Sequence, residues 1–141
     1  MSDQYHELGV DLRTAVARIH SRFRSERSEG ELGDAALSVL IGLEKNGPMT
    51  LTELSERARV TAGSMSQTIN RLADGGYLTR SKDPADGRRV LLEATADGKQ
   101  IAVAARAHRQ GWLNARLAEL TDDDRATLAR AAALLRRVAD S

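Results

Sequence analysis

Residues 50–98 read TLTELSERARVTAGSMSQTINRLADGGYLTRSKDPADGRRVLLEATADG, and within this one stretch the pattern passes from helical to extended and back. Thr50 or Thr52 can cap a first short helix, and the Thr50–Glu53 spacing fits a capping box, in which two side chains satisfy each other's free backbone N–H groups. Leu51, Leu54 and Ala58 fall on its inward face. A tight turn around Arg59-Val60-Thr61 follows, and Thr61 is a good N-cap for a second helix. Met65, Ile69 and Leu72 form that helix's buried stripe, and Gly75-Gly76 ends it in a left-handed cap. The period then changes. "YLTRSK" and "RRVLLEA" read as two short strands around "DPADG", where Pro and Gly fix the reversal. Thr95 caps a long helix over about Ala96–Leu120.

Outward from this stretch the chain is helical. Leu8, Leu12, Val16, Ile19 and Phe23 recur at helical spacing and make one apolar stripe near the N-terminus. The stripe fades in the polar connector "SERSEGELGD". A further helix, roughly Ala35–Lys45 with Leu37, Leu40, Ile41 and Leu43, is stopped by Asn46-Gly47-Pro48. At the other end "TDDD" caps a helix of about Asp122–Ala139, its three acids suiting the positive end of the helix dipole. The expected fold is mainly α with a small β-hairpin wing. Residues 1–30 and 96–141 form a flanking helical region, to which the resemblance described below assigns dimerisation, and residues 31–95 a winged helix-turn-helix lobe, in one compact domain overall.

Composition narrows the function. The 141 residues contain no Cys, which removes disulfides, thiolate metal sites and Cys redox chemistry. His6, His20 and His108 are too scattered for a local metal motif, so no metal, catalytic residue or cofactor is expected. His20 and His108 fit helical surface or interface positions better than sensors. G-x-S-x-G, the phosphate-binding P-loop and H-E-x-x-H are all absent, which argues against an enzyme. Met1–Val10 lacks an apolar signal segment and no stretch has membrane-spanning length, so a cytoplasmic location without membrane contact is expected. Net charge is only +1, yet the charges are segregated. Arg13, Arg18, Arg22, Arg24 and Arg27 crowd the first segment; Arg71, Arg80, Lys82, Arg88 and Arg89 cluster in the middle.

Two helices, a tight turn and a hairpin in this order suit double-stranded DNA. The second helix can enter the major groove with its exposed face. Small polar Ser64, Ser66 and Thr68 permit close approach, and Gln67 and Arg71 reach base edges or phosphates. Thr61 begins the helix whose free N–H groups suit a phosphate. The hairpin carries Arg80, Lys82, Arg88 and Arg89, within reach of the minor groove.

The chain resembles the MarR (multiple antibiotic resistance regulator) family over nearly its full length. Val60, Thr61, Met65, Arg71, Leu72, Gly76, Asp86, Arg88, Thr95 and Gly98 fall on the family pattern. Ala94, where the family usually has Leu, and Asn70, often Asp, depart from it. The resemblance implies a homodimer built from the first and last two helices, so Leu8, Leu12, Val16, Ile19, Leu128, Leu135 and Val138 are the expected interface. It implies that Arg88 is the minor-groove residue, that Asp86 braces the wing loop, and that Arg89 is a phosphate candidate. It implies a repressor of a pseudo-palindromic operator that responds to a small aromatic or lipophilic effector held between the dimer helices and the DNA-binding lobe. Phe23 and Trp112 are the aromatic candidates for that pocket, although packing is the commoner fate of such a Trp. A dimeric winged-helix scaffold that binds protein instead of DNA is the alternative. Salt separates the two, since DNA binding weakens steeply as ions rise.

Overall fold

The computed structural model describes residues 3–26 and 32–141. Residues 27–31, which include Arg27 and half of the polar connector, lie outside the described residues. Six helices and one hairpin follow in the order α1 (Asp3–Ser25), α2 (Asp34–Asn46), α3 (Leu51–Ala58), α4 (Ala62–Asp74), β1 (Leu78–Lys82), β2 (Val90–Ala94), α5 (Ala96–Ala118) and α6 (Asp122–Ala139).

Threonine hydroxyls start four of the helices. Thr50, Thr61, Thr95 and Thr121 each accept from the backbone N–H three residues on. The cap of α3 is Thr50 rather than Thr52, and the capping box with Glu53 is complete. Three sequence-based bounds shift. The strands omit Tyr77, whose N–H goes back to the Leu72 carbonyl, and also Arg88 and Arg89, which belong to the tip, where the Arg89 N–H donates to the Asp86 carbonyl. Helix α5 ends at Ala118, where Arg125 reaches back to the carbonyls of Leu117 and Leu120. Gly75 keeps right-handed geometry, and Gly76, at φ +81°, takes the left-handed position that reverses the chain into β1.

The core fills the space between α2, α3, α4, the hairpin and the first half of α5. Leu37, Leu40, Leu43 and Leu72 are fully enclosed, with Leu54, Met65, Ile69, Leu78 and Leu92 around them. Ala58 is exposed, contrary to the apolar pattern; Ser55 takes the inward place, its hydroxyl donating to the Leu51 carbonyl at 2.8 Å. The antiparallel register pairs Leu78 with Ala94 and Lys82 with Val90. Met49, just before α3, adds a bridge to Leu92, with N···O distances of 3.1 and 2.8 Å. The base of the wing is therefore tied to the start of the helix-turn-helix.

At the other side of the hairpin, the Thr95 hydroxyl donates to the Gly76 carbonyl at 2.7 Å and its N–H to the Tyr77 carbonyl at 3.0 Å. Gly98, one turn into α5, lies so close to Tyr77 that a Cβ there would stand 2.2 Å from the Tyr77 oxygen. Helices α1 and α6 are different in kind. Leu8, Leu12, Val16 and Ile19 of α1 are exposed, as are Leu128, Leu135 and Val138 of α6, and α6 buries none of its residues in the single chain.

Candidate nucleic-acid interface

The turn between α3 and α4 is made by Arg59, whose left-handed backbone (φ 56°, ψ 45°) ends α3 and redirects the chain. Thr61 then starts α4, its Oγ1 accepting from the Ser64 N–H at 3.1 Å. Met65, Ile69 and Leu72 anchor one face of α4 in the core. The opposite face leaves Ser64, Gln67 and Arg71 in solvent, at helical spacings that put them in one stripe. Ser66 and Thr68 flank the stripe and are half-buried, more enclosed than their polarity suggests. Thr68 also turns its hydroxyl back to the Ser64 carbonyl at 3.4 Å.

The wing's charged residues divide into inward and outward sets. Arg80 on β1 donates to the Asn70 side chain, which braces the strand against α4. Lys82 ends β1 in an exposed position. The tip from Asp83 to Arg89 is closed by its own backbone: Asp83 N–H donates to Arg89 O, Asp86 N–H to Asp83 O, and Arg89 N–H to Asp86 O, at 2.9, 3.2 and 3.0 Å. Asp86 Oδ1 accepts from the Arg88 backbone N–H at 3.1 Å and from Arg88 Nε at 3.2 Å. These two bonds, the backbone one foremost, hold the Asp86 carboxyl below its usual range. The rest of Arg88 reaches into water, with its side chain 92% exposed. Arg89 faces the protein, with Nη2 3.3 Å from Glu53 and Nε 3.9 Å from Asp83. Glu53 is itself held below the usual carboxyl range, first by the Thr50 backbone N–H, then by the Thr50 hydroxyl.

Phe23 and Trp112 meet each other edge to face at 5.7 Å, and Arg22 stacks 5.0 Å from the Trp112 ring centre. They form a packed corner between α1 and α5. A separate cavity of about 390 Å³ opens between α1, α2, α3 and α4, lined by His20, Ser38, Val39, Leu54, Arg57 and Met65 among others. Neither aromatic lines it. Of its walls, sequence reasoning had no signal for Ser38 or Arg57, because a cavity between four helices has no period. The ties Arg80–Asn70 and Arg89–Glu53 were equally invisible, spanning 10 and 36 residues. Among the described residues no group of His, Asp and Glu is placed to hold a metal, and no helix is long and apolar enough to cross a membrane.

Comparison with known proteins agrees with this geometry. Residues 31–89 match the sequence profile of the MarR family. An uncharacterized HTH-type transcriptional regulator of Mycobacterium leprae (strain TN), ML2140, is 37% identical over 140 residues, covering 99% of this chain and 98% of its own. The fold superposes on a MarR family protein from Bacillus stearothermophilus with a TM-score of 0.88, at 20% identity and covering 100% and 99% of the two chains. It also superposes on Bordetella bronchiseptica BpsR, described for the regulation of its DNA binding by 6-hydroxynicotinic acid, with a TM-score of 0.75, 25% identity and coverage of 97% and 96%. A winged helix-turn-helix with an outward arginine at the wing, matched along its whole length by a relative of this kind, makes the chain a member of the MarR family of DNA-binding, non-enzymatic transcriptional regulators.

Proposed function

We propose that the protein is a homodimeric repressor that binds a pseudo-palindromic operator and is released from it by a small aromatic or lipophilic molecule. The observation that carries the operator reading is the pairing of an exposed Ser64–Gln67–Arg71 stripe on α4 with Arg88, extended into solvent from a wing tip that is closed by its own hydrogen bonds. In this reading α4 enters the major groove, with Thr61 at its phosphate-facing start, and Arg88 enters the adjacent minor groove. Asp86 aims Arg88 and Arg80 braces the wing, while Lys82 meets phosphate. Such a protein works in the cytoplasm, where its DNA is.

Homodimerisation is supported by the exposed stripes of α1 and α6, since a monomer seldom leaves so many aligned apolar side chains in water. Residues 1–30 and 96–141 would then form the shared body and 31–95 the reading lobe. Two recognition helices related by a two-fold axis call for half-sites about one helical turn apart. The effector reading rests on the cavity. Its apolar walls Val39, Leu54 and Met65 suit a ring, its His20 and Arg57 suit polar or acidic substituents, and it touches both the dimer helix α1 and the recognition helix α4. A molecule that fits one spacing of those helices better than another shifts the population toward it.

The test is a fluorescence-anisotropy titration against duplexes enriched from a random-sequence pool. Specific binding that weakens steeply with salt supports the reading. Failure to enrich any sequence, or binding indifferent to salt, overturns it.

A further inference from the structure

Resting on the DNA-binding reading above, we infer that Arg89 is a positioning residue: it locks the wing to the N-terminus of α3 and so fixes where Arg88 is presented, without itself contacting DNA. Adjacent arginines here have opposite surroundings. The Arg88 side chain is 92% exposed, whereas that of Arg89 is 51% exposed and directed at two carboxylates. Nη2 of Arg89 donates to Glu53 Oε1 at 3.3 Å, and Nε lies 3.9 Å from Asp83 Oδ2. The same Glu53 oxygen accepts from the Thr50 N–H at 3.2 Å and the Thr50 hydroxyl at 3.0 Å. One carboxylate oxygen thus joins the helix cap to the wing. Asp83 is anchored in turn, its Oδ1 accepting from the Ala85 N–H at 2.9 Å.

The mechanical need is plain from the backbone. The Met49–Leu92 bridge pins β2 at Leu92, and the tip ends three residues before it, at Arg89. That is a lever of about 10 Å. Arg80, paired with Leu92 in the ladder, braces β1 at the same level through Asn70, so without a tie nearer the tip the tip can pivot about that level and carry Arg88 with it. The Arg89 guanidinium supplies that tie because its fork addresses two acceptors at once, which an ammonium cannot do in fixed geometry. A phosphate approaching Arg89 would meet Glu53 and Asp83 beside it, so a cation already paired with both is a poor phosphate ligand.

The test uses the enriched duplex and the full-length protein. Wild type, Arg89→Gln, Arg89→Lys, Glu53→Gln and the Glu53→Gln/Arg89→Gln double variant are titrated across a salt series. Glu53→Gln keeps the cap, because Gln also serves at that position of a capping box. Each single variant is expected to weaken binding about two- to fivefold, the range of an exposed ion pair. The double variant should be no weaker than either single, and the salt slope should match wild type. In the free protein, amide exchange at residues 85–88 should quicken in Arg89→Gln and Arg89→Lys alike. Wild-type affinity in Arg89→Lys, or a slope lower by about one per protomer in Arg89→Gln with additive effects, would make Arg89 a phosphate contact and overturn the inference. If no duplex is enriched, the operator reading fails by itself. Amide exchange then decides the lock alone, and unchanged exchange sinks it.

Discussion

Substituting Gly98 by Ala tests how tightly the reading lobe is joined to α5. The new Cβ would lie 2.2 Å from the Tyr77 carbonyl oxygen and 3.1 Å from Leu40 Cδ2, where ordinary contact begins near 3.4 Å. The obstacle is backbone, so no side-chain rotation relieves it. Either α5 lifts from the hairpin or the Tyr77 peptide turns, and the latter breaks the 3.0 Å bond from Thr95 N–H. Overpacking of this kind costs about 1–3 kcal/mol. The strained or lost hydrogen bond adds about 1 kcal/mol. Alanine's better helix propensity returns up to about 1 kcal/mol. The net is a destabilisation of about 2 kcal/mol, or a fall in Tm of about 7 °C for a chain of this length. Differential scanning calorimetry reads it directly. Gly111→Ala is the internal control: it sits in the same helix, exposed, with nothing within 4 Å of its added Cβ. It should gain stability, by about 1 kcal/mol from propensity. A Gly98→Ala protein that melts at or above wild type would refute the close-approach reasoning.

Arg88→Ala should leave the melting curve unchanged, since the side chain is 92% exposed, and weaken operator binding about tenfold per protomer by anisotropy; wild-type affinity would remove the wing arginine from the interface. Val16→Glu places a charge in the exposed α1 stripe, and sedimentation should then show the 15.3 kDa chain rather than twice that mass; a persistent dimer would put the interface elsewhere. Glu53 and Asp86 have folded-state pKa values depressed below their ordinary 4.5 and 3.8, so their contribution to order is complete above those values and is lost as pH falls through the lower folded values. The amide proton shifts of Thr50 and Arg88, which donate to these carboxylates, should titrate with inflections below pH 4.5 and 3.8 respectively, and inflections at or above them would contradict the hydrogen bonds.

What could be read from the sequence was what is local. Thr50, Thr61, Thr95 and Thr121 announce helix starts because a cap and its N–H lie three residues apart. The wing was legible because Pro and Gly punctuate two short strands. The turn at Arg59 was legible too, but its left-handed geometry was not, since arginine gives no hint of positive φ. Ser55 was missed for a related reason: a polar residue goes inward once its hydroxyl has the Leu51 carbonyl. The Met49 bridge involves a single residue and so has no period to detect. Within the site, Arg88 and Asp86 stand two positions apart and could be paired by inspection. The tie between Arg89 and Glu53 crosses 36 residues and exists only after folding.

A chain with a net charge of +1 binding a polyanion needs an account, and pairing supplies it. Residues 51–94 hold seven Lys and Arg against six Asp and Glu, nearly balanced in number. The balance is not spatial. Glu53 and Asp83 are turned onto Arg89, and Asp86 onto the backbone N–H and Nε of Arg88, whose outer guanidinium end stays in water, while Arg80 is turned onto Asn70. Arg57 lines the inner cavity. Arg59 is exposed at the turn, and on the stripe and wing this leaves Arg71, Lys82 and Arg88 as the outward cations. In the proposed two-fold dimer, the three stripe and wing cations of each protomer would neutralise about six phosphates, so log K against log salt should fall with a slope of about −5. A slope near −9 would mean that Arg80 and Arg89 also abandon their partners for phosphate. A slope near zero would mean that the outward cations do not meet the backbone at all, and that this surface reads something other than DNA.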